Sequence, residues 1–124
     1  MRNTPARSFQ DLIVWQKAID LAGAAYKISE QFPKKESTIL LPQLFRAINS
    51  VPANIAEGSF RQSKKEFVQF LFIAKGSLAE AITYFELAYR QKYFDQSSYD
   101  VLMKKSKEVL TLLVGLINSF RKVD

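Results

Sequence analysis

The densest chemistry in the chain is a short run of cations. Arg61, Lys64 and Lys65 surround Ser63 at a point where a loop enters a helix. Unsatisfied backbone N–H groups and the helix dipole favour anions at such a place. Two lysines in a first turn oppose the usual preference for Asp and Glu, so a bound anion would relieve a mildly unfavourable arrangement. Phosphate is the anion to expect, with Arg46 as a further candidate for the same contact. The alternative is a solvated basic turn, partly offset by Glu66.

A second constellation is polar but less charged. Arg46, Ser50, Asn54 and Glu57 recur at spacings of four, four and three, which puts them on one side of a helix. They could form a site for a ligand or a neighbouring subunit. The favoured role is structural: Glu57 pairs with Arg46 or another cation, and Asn54 satisfies backbone groups loosened by Pro52. Lys104, Lys105 and Lys107 form a weaker basic surface that an exposed helix side explains.

Catalysis has little to work with. The chain contains neither histidine nor cysteine, which removes the commonest acid–base groups, thiol nucleophiles and most metal ligands. Glu57, Glu80 and Glu86 could in principle hold Mg²⁺, but no repeated acidic motif brings them together. There is no phosphate-cradling glycine loop and no nucleophile with a base beside it. The expectation is a non-enzymatic protein without catalytic residues, metal or cofactor.

The elements that must position these groups are helical. The 124 residues allow one domain, read as spanning 1–124 with 1–8 as a flexible N-terminal segment. A net charge of +6 favours anionic partners such as RNA or DNA. No stretch has the roughly 20 apolar residues of a membrane span and no export signal is legible, so a cytoplasmic protein is expected.

The first helical segment runs roughly from Phe9 to Gln31 and carries two apolar stripes. One contains Leu12, Trp15, Ile19, Ala22 and Tyr26; the other contains Val14, Ala18, Leu21, Ala25 and Ile28. The second segment, from about Leu40 to Gly58, turns Leu44, Ile48, Val51 and Ile55 inward. Pro42 suits a first turn, whereas Pro52 should kink the helix or break its hydrogen-bond ladder. Ser63 to Glu66 reads as a capping box opening a third helix that extends to about Lys92. Its main apolar face is Phe67, Leu71, Ala74, Leu78, Ile82, Phe85 and Tyr89. Ser97 is the expected N-cap of a fourth helix reaching Arg121, with Leu102, Val109, Leu113, Leu116 and Phe120 inward. No segment alternates as a strand would. Four helices with short connections make antiparallel neighbours in a bundle.

The third helix has one apolar face too many. Phe72, Gly76, Ala79, Thr83 and Leu87 repeat on the side away from its core stripe. Small Gly76 and Ala79 would admit another backbone, and exposing Phe72 and Leu87 would cost about 1.5–3 kcal/mol each. Self-association through this face is expected; burial on two sides of a central helix is the alternative.

Several motifs in series carry a resemblance over nearly the whole chain. They are Leu12-Ile13-Val14-Trp15-Gln16-Lys17-Ala18, Phe32-Pro33, Gln43-Leu44-Phe45-Arg46-Ala47 and Asn54-Ile55-Ala56-Glu57-Gly58. Arg61 follows, then Ser63-Lys64-Lys65-Glu66-Phe67 and Ala74-Lys75-Gly76-Ser77-Leu78-Ala79-Glu80. Together they resemble the bacterial four-helix-bundle family named for proteins encoded in intervening sequences of 23S ribosomal RNA genes. The resemblance implies an up-and-down antiparallel bundle, all-α, that assembles as a homopentamer without established enzymatic activity. Similar bundles include the accessory protein of diversity-generating retroelements, a basic pentamer associated with reverse transcriptase and nucleic acid. The chain departs from the family pattern at Phe45-Arg46, where paired basic residues are common, and at Leu41-Pro42, where a polar helix start is common. Two functions follow as expectations: nucleic-acid binding through phosphates, or an adaptor for a larger protein whose basic charge is incidental.

Overall fold

The computed structural model describes residues 8–121, and the flexible segment expected at 1–8 lies almost wholly outside them. Four α-helices account for most of the chain: α1 (Ile13–Ser29), α2 (Leu40–Ser59), α3 (Lys64–Arg90) and α4 (Gln96–Arg121). Short 3-10 turns at Phe9–Asp11 and Lys34–Thr38 precede α1 and α2, and no strand occurs among the described residues. The first helix therefore starts later than its apolar periodicity suggests. Leu12 is extended, with φ −75° and ψ 126°, and separates the 3-10 turn from α1.

Each helix packs on its chain neighbour, and α1 closes the ring against α4. The contacts run in opposite senses along every pair. Between α2 and α3, Gly58 lies against Phe67 and Phe70, Ser50 bonds Ser77, and Arg46 bonds Glu80. Between α3 and α4, Tyr99 reaches Glu86 at one end and Phe67 meets Phe120 at the other. Tyr26 of α1 stacks on Phe45 of α2 at 4.4 Å, while Phe9 before α1 meets Phe60 just after α2. All four neighbours are antiparallel, as short connections require.

The core follows the expected periodicity over most of three helices; in the last turns of α4, Ile117 is buried, and the expected Leu116 and Phe120 are half-buried beside it. Leu44, Ile48, Val51 and Ile55 of α2 are buried, as are Leu71, Ala74, Leu78 and Phe85 of α3 and Leu102, Val109 and Leu113 of α4. Ser106 completes the α4 stripe between Leu102 and Val109, its hydroxyl buried without a hydrogen-bond partner. On α1 one stripe forms most of the core, joined from the other by Ala22 alone. Val14, Ala18, Leu21 and Ala25 are buried, whereas Ile19 and Tyr26 are exposed. The other stripe flanks the core: Trp15 packs edge-on to Phe9, and Tyr26 shares a 2.8 Å hydrogen bond with Asn49 across to α2. A corner helix of a bundle has a wide apolar arc, and only its centre reaches the interior.

The helix ends are held by local chemistry. Ser63 Oγ accepts from the Glu66 N–H at 3.1 Å, the first half of the expected capping box; the reciprocal carboxylate bond does not form. At α4 the cap is Asp95 rather than Ser97. Its carboxylate accepts from the Ser98 N–H at 2.9 Å, and that bond holds the Asp95 pKa below its ordinary value. Glu36 does similar work from the 3-10 turn before α2. One of its oxygens accepts from the Leu40 N–H at the start of α2, and the other accepts from the Tyr93 hydroxyl at 2.6 Å. The α3–α4 connection is thereby tied to the α1–α2 connection. Lys92 takes the left-handed conformation (φ 65°) that ends α3, so that the Tyr93 N–H reaches back to the Ala88 carbonyl.

α2 runs through Pro52 without interruption. Beyond it, the Asn54 amide donates to the Ser50 carbonyl and hydroxyl, both at 2.8 Å. At its far end α2 meets α3 with almost no clearance. A Cβ on Gly58 would lie 2.7 Å from Phe70 Cβ and 2.8 Å from a Phe67 ring carbon. Gly58→Ala therefore sets a helix-propensity gain of about 1 kcal/mol against an overpacking cost of about 1–3 kcal/mol. The rigid root of Phe70 cannot swing away, so the cost should win. Urea denaturation of the variant should show a net loss of up to about 2 kcal/mol; a raised midpoint would mean that the interhelix contact is looser than this.

Candidate nucleic-acid interface

The structure separates the four basic candidates into two kinds. Arg46 and Arg61 are paired: Arg46 with Glu80 at 2.9 Å, and Arg61 with Glu57 at 2.6 Å. Arg61 also lies over the Phe70 ring, 4.7 Å from its centroid. Lys64 and Lys65 enter no ion pair among the described residues, and both are exposed. They line one wall of a groove between the start of α3 and the end of α4. Arg121 belongs to the same groove, with Gln69 on α3 and an apolar floor of Val68, Phe72 and Phe120. Its volume is about 490 Å³, and no carboxylate among the described residues lines it.

Arg121 was not singled out from the sequence. It ends the fourth helix, more than fifty positions from Lys64, and only antiparallel packing of α3 and α4 joins them. The groove's cations also sit near its rings. Lys64 Nζ lies 5.8 Å from the Phe120 centroid, and Lys75 Nζ and Arg121 Cζ each lie 5.8 Å from that of Phe72. Such contacts hold cationic heads at the rim without neutralising them. A groove of this kind can accept phosphate oxygens at its edge.

The polar face of α2 divides as well. Ser50 and Asn54 bond to each other and, through Ser50, to Ser77 of α3 at 2.9 Å. Arg46 bonds Gln43 and Glu80, and Glu80 also accepts from the Tyr84 hydroxyl at 3.1 Å. These residues form a seam along the outside of the α2–α3 pair. Glu57 lies beyond it, with Arg61 as its partner rather than Arg46. Hydrogen bonds from Arg46 and then Tyr84 hold the Glu80 carboxyl below its ordinary pKa. At the opposite end of the α3–α4 pair, Tyr99 and then Arg90 do the same for Glu86.

All five residues of the second α3 face are exposed, so burial within the bundle does not account for them. Phe72 is 43% exposed and Leu87 48%, with Ile73 beside them at 51%. A Cβ added at Gly76 would meet nothing within 4 Å. Phe72 belongs to the basic groove, and the row from Gly76 to Leu87 leads away from it. Lys104 and Lys107 line a different groove, between α1 and α4. It has about 460 Å³, an apolar floor that includes Ile13 and Leu112, and Glu108 at its edge. Among the described residues no group of three acidic side chains is placed to hold a metal ion, and no helix is long and apolar enough to cross a membrane.

The Arg46–Glu80–Tyr84 contacts give a pH dependence with a definite sign. A carboxylate whose folded pKa is lowered adds stability above its ordinary value of 4.5 and loses that contribution as pH falls through the folded value. Glu80→Gln should therefore be less stable than the parent near neutrality and converge with it in acid. The effect is small because the pair faces solvent. Urea midpoints taken from about pH 7 down to about pH 3 test this; a gap that widens in acid would contradict it.

A family model described as 23S rRNA-intervening sequence protein matches residues 10–115. The fold is also similar to a crystal structure of a protein with unknown function from the S23 ribosomal protein family, from Bacteroides thetaiotaomicron. The two share 27% sequence identity with a TM-score of 0.75, over 85% of this chain and 98% of that one. No curated protein matches.

Proposed function

The chain belongs to the 23S rRNA-intervening sequence protein family, and from that premise we propose that it is a non-enzymatic, self-assembling basic bundle that holds RNA or DNA by the phosphates. The observation that carries this reading is the groove rimmed by Lys64, Lys65 and Arg121, with no carboxylate among the described residues that line it. Arg46 and Arg61 contribute less, because Glu80 and Glu57 offset them. The contact does not read base sequence, so it fits binding without sequence preference.

The exposed row on α3 supports self-association. Gly76, Ala79 and Thr83 would let a second backbone approach, and Leu87 supplies the apolar contact. Five copies is the number implied by the resemblance to pentameric bundles. A ring would repeat the basic groove, so that individually weak phosphate contacts add. A bend of α2 at Pro52 is part of the same proposal. Its support is the missing proline N–H and the Asn54 amide drawn to the Ser50 carbonyl. The reading places the protein in the cytoplasm and assigns it no catalytic residue, cofactor or metal. Support for the latter comes from a composition without His or Cys. A second reading, an adaptor for a larger protein, is favoured by the α1–α4 groove, where Ile13 is 57% exposed.

Two measurements test the proposal. Light scattering should give a particle about five times the 14.2 kDa chain, and Leu87→Glu should reduce it toward the monomer. A monomeric parent at micromolar concentration would remove the assembly reading. In mobility-shift titrations, binding to RNA or DNA should weaken steeply with salt. Lys64→Gln with Lys65→Gln should lower the slope of log K against log salt by about 1–2. Absence of any shift at low salt would leave the adaptor reading.

A further inference from the structure

Phosphate contacts alone do not require an aromatic floor, yet the basic groove has one. Phe72, in the third turn of α3, is 43% exposed among the described residues, an unfavourable position for a large apolar ring. Its neighbours are cationic: Lys75 and Arg121 flank the ring, each 5.8 Å from its centroid. Across the groove Phe120 packs on Phe67 with centroids 5.1 Å apart, which fixes the second ring of the floor. The groove is thus a rigid aromatic base between two cationic walls, one on the first turn of α3 and the other on the last turn of α4.

We propose that this groove takes single-stranded nucleic acid, with an unpaired base lying against Phe72 and the flanking phosphates held by Lys64, Lys65 and Arg121. The inference rests on the phosphate-binding reading above and narrows its ligand. In a duplex the base faces are stacked on one another, so an aromatic floor gains nothing from them. In a single strand those faces are free, and ring–base stacking adds to the charge contacts whatever the base. The surroundings match the strand's two surfaces: apolar rings for the bases, cations for the backbone. The α1–α4 groove does not offer this pairing. Its floor is aliphatic, and Glu108 stands among its lysines.

Phe72 is thereby assigned to the ligand, while the outer row of α3 from Gly76 to Leu87 remains for assembly. The two roles separate by experiment. The full chain is titrated by fluorescence anisotropy at low salt with a 20-nucleotide single strand, as RNA and as DNA, and with a duplex of the same length. The parent should prefer the single strands by about tenfold, the gain expected from roughly one stacked base. Phe72→Leu should abolish that preference with its salt slope and its solution mass unchanged, and Phe72→Trp should retain it. Equal affinity of the parent for single strand and duplex would overturn the inference but leave phosphate binding intact. So would a preference that survives Phe72→Leu. Failure of every probe to bind at low salt would overturn the phosphate reading itself. A fall in solution mass on Phe72→Leu would assign the ring to the subunit interface and likewise overturn the proposal.

Discussion

Where α2 gives way to α3, the two helices touch so closely that one methyl group would not fit. Gly58 packs on the root of Phe70 and the ring of Phe67, and from that contact the two helices run antiparallel with little freedom to slide. The register it sets brings Ser50 to Ser77, then Arg46 to Glu80 and Tyr84. It also orients the first turn of α3, which carries Lys64 and Lys65 on one side and Phe67 on the other. Because α4 packs back along α3, its last turn arrives beside that first turn. The basic groove is a consequence of this geometry, since its two walls are remote in sequence.

Charge is sorted by the fold in a way that the net value does not disclose. Ion pairs among the described residues involve Arg46, Arg61 and Arg90, each with a glutamate on the same or the adjacent helix. Arginine's planar fork can hold a carboxylate while still bonding a second partner, as Arg46 does with Gln43. The lysines at the start of α3 have no such partner. Part of the unpaired positive charge therefore stands where the chain leaves one helix and enters the next, and further lysines line the α1–α4 groove.

The opposite end of the bundle is organised by tyrosines and carboxylates. Tyr93 donates to Glu36, Tyr99 donates to Glu86 and stacks on Tyr89 at 4.1 Å, and Tyr89 bonds Gln96. The hydrogen bonds to Glu36 and Glu86, and then burial, raise the pKa of Tyr93 and Tyr99, so their hydroxyls remain donors over the ordinary range. One end is thus closed by neutral donors on carboxylates, and the other is open and cationic. A multivalent ring would repeat the open cationic groove once per copy.

Local information alone determined the four helices, the inward stripes of α2, α3 and α4, and the Ser63 cap. Each depends on residues within a turn or two of one another, and the 3.6-residue period is written directly in the side-chain order. The exposed second face of α3 was legible for the same reason. Tertiary structure decided the matters that turn on competition or distance. Both α1 stripes are apolar, so only packing could assign Val14 and Leu21 to the core and Tyr26 to the α1–α2 seam. Ser97 and Asp95 could each cap α4, and the geometry of the α3–α4 connection selected the carboxylate. Spacing offers Glu57 either Arg46 or a cation elsewhere, and the end of α2 gives it Arg61. Arg121 and Phe120 joined Lys64 and Phe72 only when the helices packed. Periodicity reports which face of a helix is apolar, but it carries no record of what that face, or a charged end, will meet.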